Sequence, residues 1–426
     1  MSVKRQAWEI TTVFKIYWFG LFGFAFVLLA CAEKTPCPTK PVPMFGTLLS
    51  DSRYARENYR AGIRLATVSL AWGRYVPRKE QVDERYLAEI KSRIKAFREA
   101  GLQIILDLGM HYPPSWVFQI PHSRFVNQYG DPFIIVNKPG LNVVNAVFNQ
   151  TVREQQMAYV DRVFNDLGTD FFAVRIGWGP YSELHYPWKG YKGKQNCYWG
   201  FDPIAQGKTN GLPPNMKPCP VPGWLPGTPS DHHESARLFL NWYLDSLAQF
   251  QNFQITTLRR HYQGQIIVPY ANWGIRPGQI AEAVTGDLNG TSFAERYEQT
   301  HKGYDFARLI GAINDTNVVV YSTCVNAMAP WPCTVSMVDD DGDDPSKWSP
   351  IHYLASCAAQ HRPPLTVAGE NDGNDNLEAM QISFRRLQAY DLKFFVWAFD
   401  FQLHDKQRRY ATIADYQRCI AQFCAN

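Results

Sequence analysis

From Met44 onward, short apolar runs alternate with longer stretches whose apolar residues recur at helical spacing. Such alternation is the mark of βα units, because a strand can reach a parallel neighbour only by crossing over through a helix. Eight candidate strands can be placed, at 45–49, 64–70, 103–108, 172–176, 266–270, 318–321, 365–368 and 394–398. Eight parallel strands suit a closed ring, so the chain is expected to be an α/β protein with a single-domain (β/α)8 TIM barrel.

The stretches between the strands carry start and stop signals. Asp83 precedes Leu87, Ile90, Ile94 and Phe97 at helical spacing, and Gly101 follows them. Thr151 and Glu154 have the spacing of a capping box before a helix to Leu167, with Gly168 as its stop. Ser349 and Pro350 place a cap and a first-turn proline ahead of a helix reaching Gln360. A long helix from about Glu234 to Tyr262 carries Leu238, Trp242, Leu247, Phe250 and Leu258. Residues 187–230 break the alternation. They are rich in Pro, Gly and Lys and hold Cys197, Cys219, Trp188, Tyr191, Tyr198, Trp199 and Trp224. So long a loop after strand 4, on the face where barrels build their sites, is expected to wall a substrate cleft, with a disulfide as one way to clamp it.

The N-terminus reads separately. Lys4, Arg5 and Lys15 precede an apolar run over 16–30 and then Ala30-Cys31-Ala32, the order of a secretory signal. The run is shorter than the roughly 20 residues of a spanning helix. Residues 1–32 are expected to be a signal peptide or membrane anchor, 33–43 a Pro-, Lys- and Thr-rich linker, and 44–426 the barrel. Cleavage after Ala32 is the favoured outcome. Acylation at Cys31, within the lipobox-like Leu28-Leu29-Ala30-Cys31, and retention as an anchor are the alternatives. Each implies a secreted, cell-surface or periplasmic protein, with membrane contact only through this segment. Setting aside Cys31, the 9 cysteines leave Cys37, Cys197, Cys219, Cys324, Cys333, Cys357, Cys419 and Cys424, an even set compatible with disulfides. Sequons begin at Asn149, Asn289 and Asn314.

Charge and composition narrow the partners. A net charge of +4 with no dense basic tract argues against nucleic acid. No C-x-x-C occurs, and the acidic run 339–344 lacks the spacing of an EF-hand loop, so it reads as a solvated loop and no metal or cofactor is expected. The excess of aromatics, 13 Trp, 22 Tyr and 26 Phe, fits a carbohydrate ligand as well as a large core.

Two carboxylates stand out. Glu183 follows strand 4, beyond Gly177 and Gly179, and Glu370 closes strand 7 behind Gly369. Both sit at C-terminal strand ends, where barrel enzymes place their catalysts. Two acids facing each other across a barrel mouth meet the needs of glycosidic cleavage: one protonates the leaving oxygen, and the other attacks or activates water. The surrounding strand ends and loops offer Trp72, His111, Trp116, Trp178, Tyr181, His185, Tyr186, Asn272, Trp273, Trp397 and Asp400 as substrate contacts, by ring stacking or hydrogen bonds to hydroxyls. For Trp72, Arg74 and Asp400 a core or ion-pair role competes evenly.

The sequence also resembles known families. The stretch 62–116, with R-L-A-T-V-S-L-A-W-G-R-Y-V-P and I-I-L-D-L-G-M-H-Y-P-P-S-W, is similar to the strand 2 to strand 3 region of glycoside hydrolase family 42, the β-galactosidases. The segment Gly179-Pro-Tyr-Ser-Glu-Leu-His-Tyr-Pro187 looks like the β-amylase signature of glycoside hydrolase family 14. Both resemblances imply a barrel with Glu183 as proton donor. Glu370 would be the nucleophile of a retaining, family 42-like enzyme, or the general base of an inverting, amylase-like one. Ser182 stands where the retaining clan usually has Asn. A barrel that only binds carbohydrate is a third reading of the same fold.

Overall fold

Eight parallel strands close on themselves in chain order. They are β1 (Met44–Thr47), β2 (Leu65–Ser69), β3 (Gln103–Asp107), β4 (Ala173–Arg175), β5 (Gln265–Tyr270), β6 (Val318–Ser322), β7 (Thr366–Glu370) and β8 (Phe394–Trp397). β8 pairs back onto β1, with Phe395 opposite Phe45. The computed structural model describes residues 42–425 apart from 137, 139, 328–341 and 374. The expected signal and lipobox and most of the expected linker lie outside the described residues, as do Cys333 and the first half of the acidic run, 339–341. Among the described residues no helix is long and apolar enough to cross a membrane.

Side chains alternate across each strand, and the alternation sorts the core into two layers. Leu65, Ile105, Ala173, Ile267, Val319, Ala368, Phe394 and Val396 fill the barrel interior. Their neighbours Ala66, Val68, Ile104, Leu106, Val174, Ile266, Val268, Val320 and Phe395 face outward and pack under the helices. Two residues past an interior apolar residue the inward column turns polar. Ile105 leads to Asp107, Ala173 to Arg175, Val319 to Tyr321 and Ala368 to Glu370. The strand parity that builds the apolar floor therefore also aims these four polar groups into the barrel mouth.

The helices form where the sequence predicts them, with one shifted start. Asp83 accepts from the Tyr86 amide and opens helix Glu84–Glu99. Ser349 accepts from the His352 amide and opens Pro350–Gln360. The helix after β3 begins earlier than the Thr151 signal implies: Asn149 accepts from the Val152 amide, and the helix is Gln150–Leu167. This cap leaves Asn149 only 2% exposed, which removes it as a glycan acceptor. Leu238, expected on the buried face of the helix Glu234–Arg259, points to solvent.

Residues 187–230 contain no strand or long helix, yet they are packed rather than loose. Tyr198 and Trp199 are fully buried, and Tyr198 meets Phe239 and Tyr243 of the long helix edge-on. Asn196 donates to the Leu288 carbonyl at 2.8 Å and faces His301 at 2.6 Å. Cys197 and Cys219 are buried free thiols, so no bridge clamps the segment. Cys324, Cys357, Cys419 and Cys424 are free as well. Aromatic packing and side-chain hydrogen bonds hold the segment, for which a disulfide was one way of clamping.

Candidate active site

A cavity of about 430 Å³ opens at the C-terminal ends of the strands and is lined by both Glu183 and Glu370. Each glutamate is positioned differently.

Glu370 is the last residue of β7 and is only 5% exposed. Arg175 of β4 holds it with two hydrogen bonds, 2.9 Å to Oε2 and 3.3 Å to Oε1. The Tyr321 hydroxyl of β6 donates to Oε2 at 2.9 Å. Every one of these partners is a donor, an arrangement that suits an ionised carboxylate. Burial pushes the Glu370 carboxyl up; Arg175 and Tyr321 oppose it, and the balance lies above the ordinary range. Burial alone would lower the Arg175 guanidinium, but Glu370 and Asp107 outweigh it and keep it charged.

Glu183 sits eight residues beyond β4, on a loop that folds back upon itself. Tyr181 and Ser182 both adopt left-handed backbone, at φ of 62° and 68°. The reversal presses the Ser182 carbonyl against Gly177 so closely that a Cβ there would lie 1.9 Å from it. At Gly179 the same atom would lie 2.5 Å from the Glu183 carbonyl. The two glycines thus serve chain-on-chain contact, not the approach of a substrate. The Leu184 amide then donates to the Pro269 carbonyl of β5 at 3.2 Å, which docks the loop on the barrel.

The surroundings of Glu183 are mixed. Thr323 Oγ1 donates to Oε1 at 2.9 Å. His185 Nε2 lies 3.4 Å from Oε2, an ion-pair distance and long for a hydrogen bond. The other ring nitrogen, Nδ1, lies 2.5 Å from the Tyr186 carbonyl, which can only accept. Nδ1 therefore carries a proton, and Nε2 is the ring nitrogen that faces the Glu183 carboxyl. Burial pushes Glu183 up, but His185, Lys302 and Thr323 outweigh it and the net shift is downward.

Other polar groups complete the cavity. Asp107 at the end of β3 accepts from Ser69 and Ser182, each at 3.3 Å, and from the Gly109 amide at 3.0 Å. His111 is 6% exposed, and burial lowers its pKa to about 4, so it lines the cavity as a neutral imidazole. Asn371 and Asp372 follow Glu370 in the wall, with Asn326 donating to Asp372 at 3.0 Å. Tyr112, Phe399 and the 64% exposed Tyr181 form its aromatic rim. Among the described residues no group of three or more His, Cys, Asp or Glu could hold a metal ion.

Of the predicted contacts, His111 and Tyr181 line the cavity and His185 backs Glu183. The others lie elsewhere. Trp72 is 1% exposed and stacks on Tyr159, with Trp116 edge-on against it and donating to the Val76 carbonyl. Trp178 is fully buried among Phe125 and Phe250 and donates to the Val144 carbonyl. Tyr186 stacks on Tyr243 and donates to its carbonyl. Trp397 shares the outward parity of Phe395 and packs on Tyr416, away from the barrel interior. Asp400 is fully buried and accepts from the Asp51 amide and the Asn58 side chain, a structural tie between β1 and β8. Asn272 and Trp273 are half-buried outside the cavity, with Trp273 edge-on to Tyr297. Asp107, Tyr112, Arg175, Tyr321, Thr323, Asn371 and Asp372 escaped the sequence reading. For Asp107, Arg175 and Tyr321 the signal was present: a polar residue at an inward position of an apolar strand.

The fold is shared with solved enzymes. The chain is similar to the catalytic domain of β-amylase from Paenibacillus polymyxa, with a TM-score of 0.61 at 14% identity over 89% of this chain and 97% of that one. It is also similar to a β-galactosidase from Halorubrum lacusprofundi, with a TM-score of 0.55 at 13% identity over 90% of this chain and 58% of that one. For the β-galactosidase of Marinomonas ef1 the TM-score is 0.54 at 13% identity, over 89% and 59%. The chain thus spans less than two thirds of the length of these β-galactosidases. No protein-family model matches the sequence, and no curated protein matches it by sequence. At such identities the likeness is one of fold.

Proposed function

We propose that the chain is a glycoside hydrolase acting on an extracellular oligo- or polysaccharide, with Glu183 and Glu370 as its catalytic pair. The observation that carries this reading is the meeting of the two glutamates in one cavity with opposite surroundings. Glu370 faces only donors, which suits a nucleophile that must be ionised. Among the described residues Glu183 is held by one hydroxyl and one imidazole, without a buried cation clamped to it, which suits a general acid and base that must pass between protonated and ionised forms. In the retaining form, Glu370 attacks the anomeric carbon while Glu183 gives its proton to the departing oxygen. Glu183 then takes a proton from water as that water displaces the glycosyl ester. Inversion by the same pair is the second reading. It is favoured by the likeness to β-amylase, which extends over 97% of that domain.

The signal-like order of residues 1–32, basic residues and then an apolar run, supports the proposal of an extracellular substrate; the N-terminal sequence of the mature protein checks whether cleavage follows Ala32. The central test is a glycan panel assayed with wild type, Glu183→Gln and Glu370→Gln. Both variants are expected to lose at least about 10²-fold in kcat/KM. Full turnover by either refutes the pair, and binding without turnover across the panel favours a carbohydrate-binding barrel. The anomer first released, read by proton NMR, separates retention from inversion.

A further inference from the structure

Beside the catalytic cavity lies a second one of about 640 Å³, and Tyr112 lines both. Arg74, Arg124 and Lys138 line this second cavity along with Phe118, and none of its described lining residues is acidic. The three cations come from the β2 end and the loops after β3, so the fold itself gathers them. Among the described residues Arg74 has its ion pair with Glu89, at 3.3 Å in an exposed pair that contributes little. Arg124 is half-buried, with its guanidinium 4.1 Å from the Phe118 ring centroid. It donates to the Phe133 carbonyl at 3.4 Å. Burial lowers its pKa. Lys138 is exposed.

We propose that this second cavity is an anion subsite, which holds the carboxylate or sulfate of an acidic saccharide whose neighbouring unit reaches Glu183 and Glu370. The proposal deepens the glycosidase reading and rests on it. Three like charges gathered around one cavity, countered only by the exposed Arg74–Glu89 pair among the described ion pairs, repel one another, and an entering anion relieves that repulsion. A guanidinium braced against a ring presents two parallel donors that match the oxygens of a carboxylate or sulfate. A neutral sugar gains nothing from the charge, while Tyr112 offers a ring face to any sugar passing between the cavities.

Binding is measured by calorimetry on the full chain carrying Glu183→Gln, so that turnover does not intrude. The probes are an oligogalacturonate, a dextran sulfate oligosaccharide and neutral maltohexaose and cellohexaose, at about 50 and about 300 mM salt. At least one acidic probe is expected to bind about tenfold or more tightly than the neutral ones. That advantage should shrink in salt and fall about tenfold on adding Arg124→Gln or Lys138→Gln. The Lys138 variant serves as the check should Arg124→Gln melt early. Which acidic probe wins separates carboxylate from sulfate. Equal binding of acidic and neutral probes, or an acidic advantage untouched by both substitutions, overturns the proposal. If wild type hydrolyses neutral glycans and the acidic probes do not bind, the hydrolase stands and the anion subsite falls. If an acidic probe binds through Arg124 and nothing is hydrolysed, the anion subsite stands and the hydrolase falls.

Discussion

Glu370 and Glu183 reach the same cavity by different routes. Glu370 is part of a strand; its direction follows from the pleat, and neighbours on β4 and β6 hold both its oxygens. Glu183 rides on a folded-back loop, held by one hydroxyl and one imidazole. The contrast matches the tasks proposed for them. A nucleophile gains from a fixed position and a fixed charge. A group that gives up a proton and later recovers one cannot be clamped so firmly in one charge state.

The sharpest way to break this comparison is to remove each carboxyl in turn and change the leaving group. Glu370→Gly is expected to abolish turnover of natural and nitrophenyl substrates alike, by about 10⁴-fold or more. Glu183→Ala should cost about 10²–10⁴-fold on natural glycans but much less on nitrophenyl glycosides, which need no proton to depart. Equal losses on both substrates in both variants would void the division of labour.

A smaller effect tests the clamp. Arg175→Met leaves a buried carboxylate without its cation, and the expected cost is about 3–5 kcal/mol in denaturant unfolding. Adding Glu370→Gln should restore part of that loss. Stability unchanged by Arg175→Met would mean that the pair does not hold the barrel mouth together.

The Glu183 side is tested through pH. General acid activity falls as pH rises past the point where the Glu183 proton leaves. His185 lies 3.4 Å from Glu183 Oε2 and holds the carboxyl's pKa down. His185→Asn is therefore expected to raise that pKa and move the alkaline limb of kcat/KM to higher pH, by about one unit. An unmoved limb would show that His185 does not act on the Glu183 carboxyl.

The smallest effect belongs to Tyr321→Phe. Glu370 must be ionised to attack, so activity rises as pH climbs through its pKa, which lies above the ordinary 4.5. Removing a donor to the ionised form raises that pKa further. The acid limb should move up by less than about one pH unit. A downward move would contradict the donor role.

Much of the fold was legible because its signals are local. All eight strands lie within one or two residues of their predicted places, and Asp83 and Ser349 cap the helices they precede. The Thr151 start failed because Asn149, two residues earlier, is itself a good cap and reaches the helix first. The pair of glutamates was legible from strand ends. The aromatic contacts were not, because their fate depends on distant chain. Trp178 and Tyr186 look free beside Glu183 until Phe125, Phe250 and Tyr243 close over them. Trp397 was decided by parity: Phe394 and Val396 point inward, so the residue after them points out.

The packing of residues 187–230 makes the molecule lopsided in what it can change. On the β4 side the cleft's neighbour is also structural shell, with Tyr198 and Trp199 locked beneath the long helix. A substitution there reaches the folding equilibrium before it reaches a ligand. On the neighbouring bank, after β2 and β3, the side chains of Arg74 and Lys138 are exposed. Divergence in preference among descendants of this protein would accumulate on that bank, while the other stays nearly frozen.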